Sequence, residues 1–407
     1  MIRKAAPVSI TGMGCISAAG TNLAANIAAL DLGRRNPLPP SLFKTEKNHP
    51  VFMCALPEAD DAAFAALPER RLLSACSRAI RMITLAALEA LDHAGLDPNA
   101  LGGLKTGVCL GTSVSTALKF YDLHCAVRLG KDAPLDELHR YLNSNPALAL
   151  TRILRLSGPA QCVTNACSSG ADAIGIAAQW IRDGLCDVAL CGGADALARI
   201  TYLGFASLRL TSPEACLPFD KNRKGLNLGE GAAVLVLESP KRAMKRASSG
   251  AVLGYGTATD AHHLTAPHPE ARGLVTALEQ ALAQAGARRE DLAFINAHGT
   301  ATPTNDAAEG AFFRRHFPDA PFVATKGSTG HTLGAAGALE AVFTLAHLAR
   351  GLLPASPGFF EADPEITAAP VAAPTAVSGQ MALSQSLAFG GNNSVLILGK
   401  GDAPCPW

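Results

Sequence analysis

Short apolar runs alternate with stretches of helical periodicity along most of the chain, a pattern that predicts layered α/β architecture. Two distant stretches repeat the same order of elements. The first begins at Ala87-Leu88-Glu89, predicts a helix stopping at Ala94-Gly95, and leads through a loop to an apolar strand over 107–112. The second begins at Ala277-Leu278-Glu279, stops at Ala285-Gly286, and leads to a strand over 293–300. Glycine just past a helix suits the left-handed C-cap, because it has no Cβ to clash there. The echo continues with one small-residue helix starting near Cys167 and another near His331. Each half then closes on a strand, over 188–193 and over 394–399. Helices rich in Gly and Ala have mixed propensity, so these two are expected to be buried and tightly packed. Four elements recurring in one order predict a duplicated α/β unit, its halves packed face to face and joined near Ser248-Ser249-Gly250.

Composition narrows the class. The 407 residues are 48% hydrophobic and 17% charged, enough for a large core and too apolar for a disordered chain. By length alone they make two or three domains' worth of chain. Thirty-eight Gly against 5% aromatics point to tight turns and close helix packing. Thirty-five basic and 34 acidic residues leave a net charge of +1, which gives no reason to expect nucleic acid as a partner. The cysteines, Cys15, Cys54, Cys76, Cys109, Cys125, Cys162, Cys167, Cys186, Cys191, Cys216 and Cys405, show neither a CxxC pair nor metal-ligand spacing with His. They read as free thiols in a reducing cytoplasm, most of them small buried hydrophobes. The basic N-terminus is followed by Gly12, Gly14, Ser17 and Gly20 rather than a long apolar run, so no signal peptide is expected. No run is long enough to span a membrane.

Three segments carry candidate chemistry. In Thr164-Asn-Ala-Cys167-Ser-Ser-Gly170 a thiol lies where a short apolar stretch meets a small-residue helix. Unsatisfied N–H groups there favour thiolate and can hold an oxyanion. Alone, Cys167 reads first as one more buried thiol among eleven. Asn296-Ala-His298-Gly-Thr300-Ala-Thr302-Pro303, with Asp306 beyond, places a His at a strand end, where a satisfied structural His is the bland alternative. In Thr325-Lys326-Gly-Ser-Thr-Gly-His331-Thr-Leu-Gly334 the His opens a helix, and the nearby Lys326 favours a neutral imidazole able to donate to a carbonyl or enolate oxygen.

Together these segments resemble the elongating β-ketoacyl-acyl-carrier-protein synthases of the thiolase superfamily. Supporting matches run along almost the whole chain: Val8-Ser-Ile-Thr-Gly-Met-Gly14, the stretch from Pro218-Phe-Asp to Gly229-Glu-Gly231, Asp260-Ala-His-His-Leu-Thr-Ala-Pro267, and Ala388-Phe-Gly-Gly-Asn-Asn393. The resemblance implies a thiolase-like fold, two βαβαβαββ halves (1–249 with Cys167, 250–407 with His298 and His331) forming a five-layered αβαβα sandwich. It implies a decarboxylative Claisen condensation between a Cys-bound acyl chain and malonyl-acyl carrier protein. Cys167 would carry the acyl chain. His298 and His331 would promote decarboxylation and hold the enolate, and Lys326 with Glu340 would orient the second His. Thr300 and Thr302 would face the phosphopantetheine arm, and the N–H groups of Cys167 and Phe389 would form the oxyanion hole. No metal or separate cofactor is expected. The implied partners are an acyl carrier protein and a second subunit, in a homodimer or a heterodimer with a chain-length partner.

The family's gate loop usually reads Phe-Gly-Phe-Gly-Gly-Thr-Asn. Here it reads Leu387-Ala-Phe389-Gly-Gly-Asn-Asn393, which points away from housekeeping fatty-acid synthesis towards a polyketide or aryl-polyene pathway. A non-catalytic chain-length partner would lack the nucleophile, and a coenzyme A-dependent initiating synthase would show Asn at His331. A thiolase would carry a second catalytic Cys in a Cys-Gly-Gly-Gly setting, which the Pro-flanked Cys405 does not offer. For carrier docking, Arg70, Arg71, Arg78 and Arg81 are better candidates than Lys241, Arg242, Lys245 and Arg246, which read as a solvated helix face.

Overall fold

The computed structural model of the protein describes residues 4–114, 121–132, 144–244, 246–366 and 368–402. Its first half runs β1 (Val8–Ser17), α1 (Leu23–Asp31), α2 (Arg78–His93), β2 (Thr106–Gly111), α3 (Pro146–Ile153), β3 (Ala160–Val163), α4 (Ser169–Arg182), β4 (Val188–Asp195) and β5 (Gly231–Glu238). The second runs β6 (Gly250–Thr259), α5 (Arg272–Ala285), β7 (Leu292–Asn296), α6 (Pro303–His316), β8 (Phe322–Val323) and α7 (Ala336–Arg350). A small hairpin, β9 (Leu352–Leu353) with β10 (Thr375–Ala376), precedes β11 (Met381–Ala388) and β12 (Asn392–Lys400).

The strand order is β3-β2-β4-β5-β1-β6-β12-β11-β7-β8. Taken outward from the middle, the halves read β1-β5-β4-β2-β3 and β6-β12-β11-β7-β8, so each strand has a counterpart. Strand directions match as well. β2 lies parallel to β3 and β4, as β7 does to β8 and β11, and β5 and β12 pair antiparallel on both sides. The halves meet over three residue pairs, Val8–Ile10 against Gly250–Val252. The predicted duplication is therefore present in the hydrogen-bond ladder itself.

The two predicted small-residue helices, α4 and α7, lie against each other, and each touches strands of both halves. Apolar residues of both helices and both sets of strands form one buried cluster. α2 covers the outer face of the first half, and α5 with α6 that of the second. Five layers result, α-β-α-β-α. Small residues make the central crossing possible. A Cβ on Gly170 would stand 2.8 Å from the Gly334 carbonyl oxygen, and one on Gly337 would stand 2.9 Å from the Ala171 methyl. Backbone approach this close excludes larger side chains at both positions. The predicted caps are also there, with Gly95 and Gly286 at φ +61° and +64°.

Boundaries differ where function intrudes. The strand expected over 293–300 ends at Asn296, which leaves His298 in a loop. The helix expected to open at His331 begins as a short 3₁₀ turn at Leu333, with α7 starting only at Ala336, because Leu333 adopts φ +55°.

His347, on α7, is wholly buried. Burial pushes its pKa down to about 3, with the Arg350 charge adding to the effect. The unfolded chain, with an ordinary imidazole, therefore binds more protons below about pH 6.5, so this group's contribution to stability falls as pH drops from there towards 3. Between pH 7 and pH 5 the wild type should lose about 2 kcal/mol more than His347→Leu. Urea melts of both proteins at the two pH values would show it; parallel pH dependences would rule it out.

Candidate active site

Cys167 lies in the turn between β3 and α4, two residues before the helix, and is 4% exposed. Ala166 before it adopts φ +48°, a conformation that costs a non-glycine residue and turns the thiol inward. Asp172, one turn into α4, holds this elbow. Its carboxylate accepts from Asn165 Nδ2 (2.7 Å) and Ser168 Oγ (2.9 Å), and on the other side from Tyr255 Oη (2.8 Å) of β6 and Ser394 Oγ of β12. The cysteine turn is thereby tied to the opposite half.

Both histidines come from that half. His331 Nδ1 accepts from the Leu333 N–H at 3.3 Å, so the ring proton is on Nε2, which lies 3.1 Å from Cys167 Sγ. His298 Nδ1 lies 3.2 Å from the Lys326 ammonium, a donor only, so its Nε2 is protonated as well. The two rings stand at 86° with centroids 5.2 Å apart. Burial drives both far below the usual imidazole range, and the Lys326 charge pushes the same way. Two neutral imidazoles thus present N–H donors beside one thiol, suited to a developing oxyanion.

Lys326 is placed differently from the expectation. Together with Glu340 it was expected to orient the second His; instead its ammonium bonds His298 through both Nδ1 and the backbone carbonyl, and pairs with Glu340. His331 feels it only through its charge. The reason is chain path, because the turn after Lys326 carries His331 away towards Cys167.

The thiol also departs from expectation. A helix N-terminus was expected to favour thiolate, yet burial pushes Cys167 up to about 12. The Lys326 charge and a hydrogen bond from the Phe389 N–H oppose this without overcoming it.

Thr300 and Thr302 line the pocket leading to Cys167, their hydroxyls 2.8 Å apart. Phe389, Leu387 and Ala388 close another wall. Phe205 stacks on Phe389 with centroids 5.2 Å apart and an interplanar angle of 17°. Ala388 ends β11 paired with Asn392, and the turn between them is made by Gly390 and Gly391 at φ +84° and +78°.

Sequence reasoning missed the support under His298. Glu309, wholly buried, accepts from the N–H groups of His298 and Gly299, each at 2.7 Å, and from Asn305 Nδ2 and Gln385 Nε2. Its signal was present, an acid one helical turn after Asp306 on the helix that follows the His-Gly-Thr loop. Phe205 and Asp172 had no readable signal.

The docking arginines divide. Arg78 is held by the buried Glu230 in a paired contact at 2.6–3.0 Å and is withdrawn from docking. Arg81 pairs with Glu58, and Arg71 is exposed. In the other basic run Arg242 and Arg246 both bond the buried Glu238. Lys245 and Cys405 lie outside the described residues, among which the cysteines are all unpaired. No helix among the described residues is long and apolar enough to cross a membrane, and no group of three or more His, Cys, Asp or Glu among them could hold a metal ion.

Comparison with known proteins places this architecture. Residues 5–243 match the beta-ketoacyl synthase N-terminal domain and residues 249–359 the C-terminal domain. The 3-oxoacyl-[acyl-carrier-protein] synthase 2 of Synechocystis is 32% identical, covering 97% of this chain and 98% of its own. The ketoacyl synthase alpha subunit of the tetracenomycin polyketide synthase of Streptomyces glaucescens is 33% identical, with 88% of each chain covered. Among solved structures, the ishigamide ketosynthase/chain length factor superposes with a TM-score of 0.87 at 33% identity, over 97% of this chain and 99% of that one. The chain belongs to the beta-ketoacyl synthase family.

Proposed function

We propose that the protein catalyses decarboxylative condensation through Cys167, His298 and His331. The observation that carries this reading is the convergence of two Nε2–H donors beside one thiol, His331 Nε2 being 3.1 Å from Sγ. In the first half-reaction Cys167 Sγ attacks an acyl thioester, the carbonyl–sulfur bond to the carrier breaks, the proton lost from Sγ ends on the departing carrier thiol, and the N–H groups of Cys167 and Phe389 hold the oxyanion. In the second, malonyl-carrier occupies the pocket with its pantetheine arm along Thr300 and Thr302. The bond from carboxylate to α-carbon breaks, CO2 leaves, and the electron pair forms an enolate whose oxygen accepts from His298 and His331. The α-carbon then attacks the Cys167 thioester, the bond to Sγ breaks, and the departing thiolate takes up a proton from solvent to restore the thiol. Lys326 with Glu340 keeps His298 neutral and aimed. Covalent splitting of the reaction in this way suits ping-pong kinetics. The chain needs no separate cofactor, the acyl groups being carried on phosphopantetheine.

Incubation with acyl-carrier and malonyl-carrier should release one CO2 per β-ketoacyl-carrier formed. Acyl-Cys167 formation without carbon–carbon bond formation would refute the reading. The protein acts in the cytoplasm on a carrier protein, its halves dividing near residue 249. It should run in light scattering as a pair of about 84 kDa, twice the 41.9 kDa chain, whether with itself or with a chain-length partner of similar size. A monomer at micromolar concentration would contradict this.

The gate supports a specialised acyl chain. With Ala388 locked into β11, only Gly390 and Gly391 can act as hinge, whereas a glycine at 388 would add freedom worth roughly 1 kcal/mol. Ala388→Gly should relax discrimination between saturated and polyunsaturated or aryl-primed acyl chains about fivefold, leaving self-acylation intact. Equal specificity ratios for wild type and variant would remove Ala388 from selectivity.

A further inference from the structure

β4 ends on Asp195, whose side chain is wholly buried. Its carboxylate accepts from Thr112 Oγ1 at 2.6 Å, from the Ser113 and Gly334 N–H groups at 2.7 Å each, and more distantly from the Val114 N–H at 3.4 Å. Three chain segments meet on this one acceptor: the end of β2, the end of β4, and the turn that follows His331. The approach is backbone to backbone, since a Cβ on Gly334 would stand 2.4 Å from Ser113 N. No larger group could mediate there, and without the carboxylate the buried Gly334 N–H and the half-buried Ser113 N–H would lose their partner.

The consequence runs to His331. Gly334 directly follows Leu333, which adopts the left-handed φ of +55°. A β-substituted residue keeps that conformation only where its surroundings impose it. The Leu333 N–H is the donor that makes His331 Nδ1 an acceptor and so leaves the proton on Nε2. The β2 end also meets the nucleophile's turn, through Ser169 Oγ donating to the Thr112 carbonyl at 3.3 Å.

We propose that Asp195 is a positioning residue for the condensation step: by gripping the Gly334 N–H together with the end of β2, it holds Leu333 in its left-handed turn and keeps the His331 Nε2–H aimed over Cys167. The proposal rests on the condensing reading above. It assigns Asp195 to the enolate-forming half-reaction, because the atom it controls is the proton on His331. Burial pushes its carboxyl up to about 6, so at pH 7.5 it is the ionised acceptor that this role requires.

The test uses the full chain at pH 7.5. Asp195→Ala should lower kcat for malonyl-carrier decarboxylation and for condensation about 10²-fold. KM for malonyl-carrier should stay within about threefold and Cys167 self-acylation within about fivefold of wild type, because the His331 ring remains beside Sγ and only the aim of its proton, on which the enolate step depends most, is loosened. If Asp195→Ala does not fold, Asp195→Ser takes its place, being polar but too short to span to Gly334, with the same split expected. Asp195→Asn should recover at least about a third of wild-type kcat, since its amide oxygen can accept from Ser113 and Gly334 while its NH2 faces the adaptable Thr112 hydroxyl. Unchanged kcat in Asp195→Ala or Asp195→Ser, a parallel fall of acylation and condensation, or an Asn variant as poor as Ala would each overturn the role. A wild type that neither self-acylates nor condenses would refute the condensing reading itself, and is told apart by running it alongside.

Discussion

Cys167→Ala should remove condensation by about 10⁴-fold or more while leaving the fold intact, because no other described thiol faces the two imidazoles. Incubated with an acyl-carrier thioester, the wild type should gain one acyl group per chain, and peptide mapping should find it on Cys167. The remaining buried thiols, Cys15, Cys54, Cys109, Cys191 and Cys216 among them, are all pushed up by burial. A second consequence follows from the thiol itself. With Cys167 pushed up to about 12, thiolate is scarce at neutral pH. Alkylation of free enzyme by a neutral reagent should therefore rise roughly tenfold per pH unit through pH 7–9, without a plateau. A plateau near pH 7 would mean that the helix end and the Phe389 N–H outweigh burial. A label elsewhere, with Cys167→Ala still condensing, would move the nucleophile.

His298→Ala and His331→Ala should each lower condensation by about 10²-fold or more, since each removes one donor to the same developing charge. Their effects on acylation should differ. The hydrogen bonds of His298 go to Lys326 and Glu309, whereas His331 is the imidazole bonded to the thiol, so removal of His298 should leave self-acylation within about tenfold. His331 Nε2 touches Sγ, so its removal should slow acylation further while still permitting it. The two half-reactions are separable by following acyl-enzyme by mass and CO2 release from malonyl-carrier. Near wild-type condensation in either variant would make that His structural.

Much of this is legible in the sequence. The duplication could be read because both halves use the same devices in the same order: a glycine-stopped helix, an apolar strand, a small-residue helix and a closing strand. Cys167, His298 and His331 could be singled out because each stands beside residues with local meaning, small residues opening a helix or Gly-Thr ending a strand, but their roles came from the resemblance that the segments carry together. Glu309 was half legible, in helical register with Asp306 but with nothing local to say that its carboxylate turns back onto the His298 loop.

By itself, then, the sequence determined the element order, the duplicated α/β plan and two buried small-residue helices, and it offered the three side chains proposed to react. The first three are properties of local periodicity, capping and residue size; the last rests on the resemblance of the motifs taken together. Only the tertiary structure decided what those side chains experience. It placed Lys326 on His298 rather than His331, which depends on where a turn carries the chain. It buried Cys167 deeply enough that desolvation outweighs the helix end, a balance that no local pattern encodes. It brought Asp172 to Tyr255 and Ser394, and Asp195 to Gly334, across separations of 83, 222 and 139 residues. Contacts of that range arise from the packing of two halves through a layer of glycine and alanine, and electrostatic consequences follow from burial, which exists only once the layers have closed.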